Sequence, residues 1–295
     1  MRFLSNFTLR IIAIIAMTFD HIGKMLYLFY PTLDSIKTIN NAFSIIGRLA
    51  FPIFIFLLIE GFYHTSNFKK YLSRIGVMAI IIYIAELIIG LVPGIADNAS
   101  GDLLKFGNIF IDLIVTLIFM KLITSESNVK KTLALLPLGY LTLFTFIQND
   151  FIYVGNSVVQ SFVAGLAPQY SFVTLVILIV YALYTLLKNF YIYNKAQVKL
   201  TSRDLFVTKS FENRTLTFAI TILLSCLIFY GLTYVKGLNL NTNFVNDTYF
   251  LLAIIPIFFY NGKLGYNNKY IKSAYYLYYP LSLCIIYLIV SCISM

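Results

Sequence analysis

Several residue types that carry common chemistry are scarce in this chain of 295 residues. It contains no tryptophan, two histidines, three cysteines and twelve acidic residues. Cys226, Cys284 and Cys292 lie in apolar runs without paired spacing, which indicates neither a disulfide framework nor a cysteine-based metal site. Because His21 and His64 are the only histidines, a metal site would depend mostly on carboxylates, and we expect none.

Charged residues are also scarce, at 12% of the chain, whereas 60% of the residues are hydrophobic. Apolar runs of about 18 residues or more recur along the whole length, which is typical of helical proteins that cross a membrane many times. This pattern excludes a soluble globular domain. The first run is too long for a cleaved signal peptide and lacks a small-residue cleavage site, so we interpret it as the first membrane helix.

We predict an all-α, polytopic transmembrane bundle of about nine spans that forms a single membrane domain over residues 1–295. Its core motifs lie in 8–124 and 270–294. We interpret the uncharged segment 152–168, which is rich in glycine and small polar residues, as a re-entrant or interfacial piece. We interpret the polar, basic loop 194–215 as a solvated connector. The expected spans are 8–30, 42–63, 72–92, 104–124, 131–148, 170–191, 216–235, 249–260 and 271–294.

The distribution of lysine and arginine predicts the orientation of these spans. With the N-terminus inside, 17 of the 22 basic residues fall in inside segments and 3 in outside loops, while Lys24 and Arg48 lie within the membrane. We therefore predict a multi-pass membrane protein with its N-terminus in and its C-terminus out. This topology also accounts for the net charge of +10, so we expect the lipid bilayer and no nucleic acid among its partners.

Ionisable and amide side chains recur inside the predicted spans, where burial of a charge is costly and usually serves a function. At about 1.5 Å of rise per residue, Asp20 and His21 lie roughly 15 Å into the first span, near the middle of the bilayer. The polar residues form two expected layers. The outer-to-middle layer contains Asp20, His21, Lys24, Arg48, Glu86, Asn108 and Asp112, and the inner layer contains Glu60, His64, Asn67 and the nearby lysines.

Structural roles compete with functional ones for several of these residues. Asp20 and Lys24 share a helix face and would neutralise each other, which lets both be buried. Asn108 would serve equally as a hydrogen-bonding residue between helices, and His64 and Asn67 as caps. For His21 a catalytic role is favoured, because a neutral imidazole in the membrane both accepts and donates a proton.

The chain resembles the TraX family of integral membrane proteins, whose members from conjugative plasmids act as pilin N-acetylases. Three segments carry the resemblance, together with Glu86: AIIAMTFDHIGKMLY at 13–27, IIGRLAFPIFIFLLIEGFYHTSNFKKYLSR at 45–74, and NIFIDL from Asn108. A fourth segment, YYLYYPLSL at 275–283, departs from the family pattern, because Ser282 stands where relatives often have histidine.

The resemblance implies a membrane acyltransferase that uses acetyl-CoA. For this transfer we expect His21 as the base, Asp20 or Glu86 as its orienting partner and Arg48 as the oxyanion donor. Direct transfer and a transient acyl-histidine are both open. It implies an acceptor amine or hydroxyl on an exported or membrane-bound peptide, pilin-like protein, lipid or glycan. An alternative is a transporter or flippase whose buried charges line a substrate path. The residues expected to bind acyl-CoA or the acceptor are Glu60, His64, Asn67, Lys69, Lys70, Arg74, Asn108, Asp112 and Ser282.

Overall fold

The structure is a computed structural model that describes residues 2–91, 107–149, 152, 163, 165–197, 201–235, 244–266 and 268–294. Within these ranges the regular structure is helical apart from one isolated parallel bridge between Leu4 and Tyr260. The predicted all-α class is therefore confirmed for the described part. The helices are α1 Asn6–Phe29, α2 Asp34–Gly47, α3 Ala50–His64, α4 Phe68–Leu91, α5 Ile109–Ile123, α6 Asn128–Thr132, α7 Leu135–Gln148, α8 Ser171–Ala196, α9 Phe211–Leu232, α10 Phe244–Asp247, a 3-10 helix Thr248–Ala253, α11 Ile254–Phe258 and α12 Lys269–Ser294.

Among the described residues, five stretches are long and apolar enough to cross a membrane, and two shorter apolar helices accompany them. The five are Asn6–Phe29, Asp34–His64, Asn128–Gln148, Ser171–Ala196 and Phe211–Leu232. The number of nine spans and the orientation stay predictions. The expected re-entrant segment 152–168 lies largely outside the described residues.

The second expected span differs from its predicted form, a continuous helix over 42–63. Helix α2 ends at Gly47 and α3 begins at Ala50, which places Arg48 in the turn between them rather than inside a helix. The Arg48 amide donates to the carbonyls of Ser44 and Ile45 at 3.1 and 3.3 Å. Pro52 then lies in the first turn of α3, where its missing N–H costs nothing because first-turn amides have no partner within the helix.

The chain divides into two compact units. The first contains residues 1–57, 226–235 and 243–295, and the second contains 58–225 and 236–242. The expected single membrane domain stays a prediction.

Helices α1 and α2 form a close antiparallel hairpin in the first unit. Gly23 permits this approach, since a Cβ atom there would lie 3.0 Å from the Cβ of Phe43. The start of the chain pairs with the segment after α11, where the Leu4 amide donates to the Phe259 carbonyl at 2.9 Å. Phe56 and Tyr260 pack edge to face with their ring centroids 5.3 Å apart, so buried aromatic rings fill this core.

In the second unit, buried polar side chains join α4, α5, α7 and α8. Asn108 caps α5 by accepting from the Phe110 amide at 3.1 Å, and its Nδ2 donates to the Ala79 carbonyl at 2.9 Å. Thr145 of α7 donates to the hydroxyl of Ser171 at 3.2 Å, at the start of α8. Because each of these groups is buried, an unmade hydrogen bond would be costly, and the network specifies how the helices pack.

Candidate functional site

Asp20 and Lys24 form a salt bridge of 2.6 Å along one face of α1. Ser44 of α2 also donates to Asp20, through Oγ and Oδ1 at 3.3 Å. Gly47 lies against the Asp20 side chain, and a Cβ atom at Gly47 would come 2.8 Å from its Cγ. The i,i+4 spacing thus produces the neutralised pair that the sequence allowed, and α2 packs directly onto it.

His21 projects from a different face of α1, towards α12. It is 6% exposed, and its ring lies edge-on to that of Tyr279 with the centroids 5.5 Å apart. The Nδ1 atom of His21 is buried without a hydrogen-bond partner in the part of the chain that the structure describes. One turn earlier, the hydroxyls of Thr18 and Tyr278 are 2.7 Å apart. A buried imidazole therefore faces aromatic and hydroxyl groups of the last helix.

Ser282 lies on the same helix as Tyr279. It is buried, and its Oγ donates to the Tyr279 carbonyl at 2.9 Å. Its hydroxyl is thus used within α12, one turn from its own position, as serine commonly is in membrane helices.

Arg48 meets an acid that sequence reasoning had placed in an outer loop. Its Nη1 lies 3.2 Å from Oδ1 of Asp247, whose side chain is only 5% exposed. The guanidinium carbon also lies 5.7 Å from the centre of the Phe250 ring. Burial raises the pKa of Asp247 to about 6, and the charge of Arg48 opposes that rise. The only sequence signal for this pair is the rule that a buried arginine needs an anion.

Glu60 of α3 pairs with Arg214 of α9 in the second unit. Arg214 donates from Nε to Oε1 at 2.5 Å and from Nη2 to Oε2 at 3.0 Å, and both residues are almost fully buried. The Tyr63 ring lies under the guanidinium at 4.9 Å. His64 lies at the edge of the pair, with Nε2 3.5 Å from Oε2 of Glu60, and its side chain is 61% exposed. Sequence reasoning placed Arg214 in the loop and missed this partner.

Residues 201–210, which precede α9, are held by hydrogen bonds from distant helices. The buried Asn189 amide nitrogen donates to the carbonyls of Asp204, Leu205 and Val207 at 2.8, 3.1 and 3.2 Å. Lys131 donates to the hydroxyl and carbonyl of Ser202. A hydrogen bond from the Thr201 hydroxyl holds the pKa of Asp204 below its ordinary value. Sequence reasoning missed this order, because the residues that impose it lie on distant helices.

The basic cluster at the start of α4 consists of Lys69, Lys70 and Arg74, all of which are exposed. Asn67 caps this helix by accepting from the Lys70 amide at 2.9 Å. The cluster is therefore a solvated basic surface at a helix N-terminus, which is the kind of place that attracts anions.

Asp112 is fully buried and bonded on both carboxylate oxygens. Oδ2 accepts from the amides of Gln169 and Tyr170 at 2.7 and 3.2 Å, and Oδ1 accepts from the Thr174 hydroxyl at 2.6 Å. Asp112 thus ties α5 to the start of α8. The Glu86 side chain lies outside the described part of the chain, so its role stays a prediction. In that described part, no three metal-binding side chains gather.

The family described as TraX protein matches residues 5–290. The chain belongs to the TraX family. It is 30% identical over 135 residues to the "Probable fimbrial assembly protein FimC, serogroup H1" of Dichelobacter nodosus, an alignment that covers 45% of this chain and 52% of the relative. The chain thus aligns with about half the length of that TraX-related protein. No solved structure matches significantly.

Proposed function

We propose that this TraX protein transfers an acetyl group from acetyl-CoA to an amine or hydroxyl of an exported or membrane-bound acceptor. The observation that carries the proposal is the buried Nδ1 of His21, which has no hydrogen-bond partner among the described residues. An unpaired buried nitrogen costs about 1–3 kcal/mol, and a substrate proton donor would remove that cost.

A single histidine can carry the proton through the whole transfer. The acceptor nitrogen attacks the thioester carbonyl carbon, and its proton passes to His21. The carbon–sulfur bond then breaks, and the imidazolium returns the proton to the coenzyme A thiolate, leaving an acetylated acceptor and free coenzyme A. A neutral imidazole both accepts and donates a proton, so His21 can take the proton of the attacking amine and return it to the leaving thiolate.

Arg48 is our proposed donor to the oxyanion that forms on the thioester carbonyl. A guanidinium that is already aimed at such a charge is an efficient donor to it, and loss of one donor commonly costs about 100-fold in rate or more. Asp20 is engaged by Lys24 and Ser44, so we assign it the task of neutralising Lys24 beside His21.

The basic cluster of Lys69, Lys70 and Arg74 is our proposed contact for the phosphates of the donor. Charge-assisted hydrogen bonds from such side chains are about twice as strong as neutral ones. Arg214 neutralises Glu60, which removes the carboxylate that would otherwise repel a phosphate near His64 and Asn67. Asn108 and Asp112 are bonded within the protein, so the proposal gives them a role in holding α5.

The acceptor that we favour is the amino group of an exported pilin-like protein. The support comes from the relative named as a probable fimbrial assembly protein and from this chain's proposed location in the bacterial cytoplasmic membrane. No feature of the described residues favours a lipid or a glycan over this acceptor.

The test uses the purified protein in detergent and measures two quantities, thermal stability and release of free thiol. Acetyl-CoA and coenzyme A at about 100 times their dissociation constants should each stabilise the fold by about 2.7 kcal/mol. His21→Gln should keep this stabilisation but lose thiol release by about 100-fold or more.

The second histidine provides a contrast. His64→Gln should raise the KM for acetyl-CoA with kcat nearly unchanged, because we assign His64 to binding the donor and give it no part in the transfer step. Full thiol release by His21→Gln would end the proposed role of His21. Absence of stabilisation by either ligand would overturn the acyltransferase proposal in favour of the transporter.

A further inference from the structure

The salt bridge between Arg48 and Asp247 gives Arg48 a fixed direction that the backbone alone does not provide. Arg48 lies in the two-residue turn between α2 and α3, and its side chain is 17% exposed. Its amide is tied to the end of α2, which positions the Cα atom. A long side chain with several rotatable bonds still needs a contact at its far end to hold one orientation.

Asp247 supplies that contact from a distant part of the sequence. It ends helix α10, and its side chain is buried to 5% exposure within 3.2 Å of Nη1. Its own backbone is held, since its carbonyl accepts from the Cys226 thiol at 3.8 Å. The next turn provides the Phe250 ring, 5.7 Å from the guanidinium carbon. A carboxylate and an aromatic ring thus hold the same guanidinium.

A guanidinium is a planar, rigid fork of five N–H donors. Fixing Nη1 against a carboxylate therefore also fixes the directions in which the other donors point. Oxyanion stabilisation depends on donors that are already aimed at the site before charge develops there, so an orienting carboxylate acts on rate rather than on binding.

We propose that Asp247 is a positioning residue that aims the guanidinium of Arg48 at the carbonyl oxygen of the transferred acyl group. This inference rests on the proposed acyl transfer. Asp247 itself touches neither donor nor acceptor in this scheme. Its substitution should therefore lower kcat while the KM for acetyl-CoA stays within about twofold.

The experiment compares Asp247→Asn, Asp247→Glu, Arg48→Gln and the double variant Arg48→Gln/Asp247→Asn with the parent protein. Asp247→Asn keeps the shape but loses the charge, and it should lower kcat by about 100-fold, as expected for a misplaced catalytic group. Asp247→Glu keeps the charge, and its kcat should be at least about tenfold higher than that of Asp247→Asn. The double variant should be no slower than Arg48→Gln, because Asp247 acts only through Arg48.

Asp34→Asn is the matched control, since Asp34 is an exposed acid of the same unit, at the start of α2. It should keep the parent kcat. A merely structural role of Asp247 would lower the melting temperature of Asp247→Asn while leaving kcat of the folded fraction unchanged, and that result would overturn the inference.

The inference would also be overturned if the fold-loss of kcat in the double variant equalled the product of the losses in Arg48→Gln and Asp247→Asn. That result would mean that Asp247 acts independently of Arg48. If the parent transfers acetyl groups and Asp247→Asn matches it, the positioning inference fails and the proposed function stands. If the parent neither binds coenzyme A nor releases thiol, the proposed function fails and this inference fails with it.

Discussion

Arg214 holds the carboxylate of Glu60 through two hydrogen bonds, from Nε at 2.5 Å and from Nη2 at 3.0 Å, at a site from which solvent is almost excluded. The same guanidinium donates from Nη1 to the carbonyls of Thr208 and Lys209. One side chain therefore neutralises the charge on α3 and fixes the loop that leads into α9. Removal of either partner leaves a buried charge without compensation.

Glu60→Gln should therefore destabilise the protein by about 3–5 kcal/mol, measured by unfolding in detergent with increasing SDS. The matched control is Glu126→Gln, at an exposed acid of the same unit, which should change stability by less than about 0.5 kcal/mol. Glu60→Gln/Arg214→Gln should cost at least about 1 kcal/mol less than the sum of the single variants. Additive losses would show that the two side chains do not depend on each other.

Asn189→Leu should release the loop 201–210. The Asn189 amide has only two hydrogens, so its three carbonyl contacts include a shared one, and leucine would replace none of them. Both Arg203 and Lys209 are already exposed. Trypsin should then cut after either residue at least about tenfold faster, as read from fragment masses, because an opened loop lets the protease bind the backbone. Asn194→Leu, at an exposed position of the same helix, should leave cleavage at the parent rate. Equal resistance of both variants would mean that other contacts suffice to hold the loop.

Hydropathy and spacing predicted the helical architecture and the Asp20–Lys24 pair, because both depend on residues close in the sequence. The i,i+4 rule places Lys24 beside Asp20 whatever the rest of the fold does. Basic residue counts and helix rise also predict a depth in the bilayer for each polar group. Neither tells which direction a side chain takes around its helix.

The pairs Arg48–Asp247 and Glu60–Arg214 were missed for that reason. Each joins residues far apart in the sequence, and each partner was read as an ordinary loop residue near a predicted span end. A search for a cation opposite every buried acid would have narrowed the options for Glu60. The break at Arg48 was also missed, since Pro52 and Gly47 were read as parts of one helix instead of as a helix start and a helix end.

Asp112 should contribute mainly to stability. Asp112→Asn can keep an oxygen towards the amides of Gln169 and Tyr170 while Thr174 reorients its hydroxyl, so the loss should be about 1–2 kcal/mol. Asp112→Leu removes every acceptor and should cost about 3 kcal/mol or more by the same SDS titration. Thr174→Val should add nothing in the Asp112→Leu background. Equal stability of the asparagine and leucine variants would contradict the role given to these hydrogen bonds.

Gly47 and Gly76 provide an opposed pair of substitutions to alanine. A Cβ atom at Gly47 would meet the Asp20 side chain, with Cγ at 2.8 Å, whereas nothing lies within 4 Å of a Cβ atom at Gly76 in α4. Gly47→Ala should therefore force α2 away from the Asp20–Lys24 pair and destabilise the protein by about 1–3 kcal/mol. Gly76→Ala should stabilise it by about 0.5–1 kcal/mol, because alanine loses less backbone freedom in a helix than glycine. The melting temperatures of the two variants should shift in opposite directions. An increase in both would show that α2 does not pack on Asp20 as closely as the structure indicates.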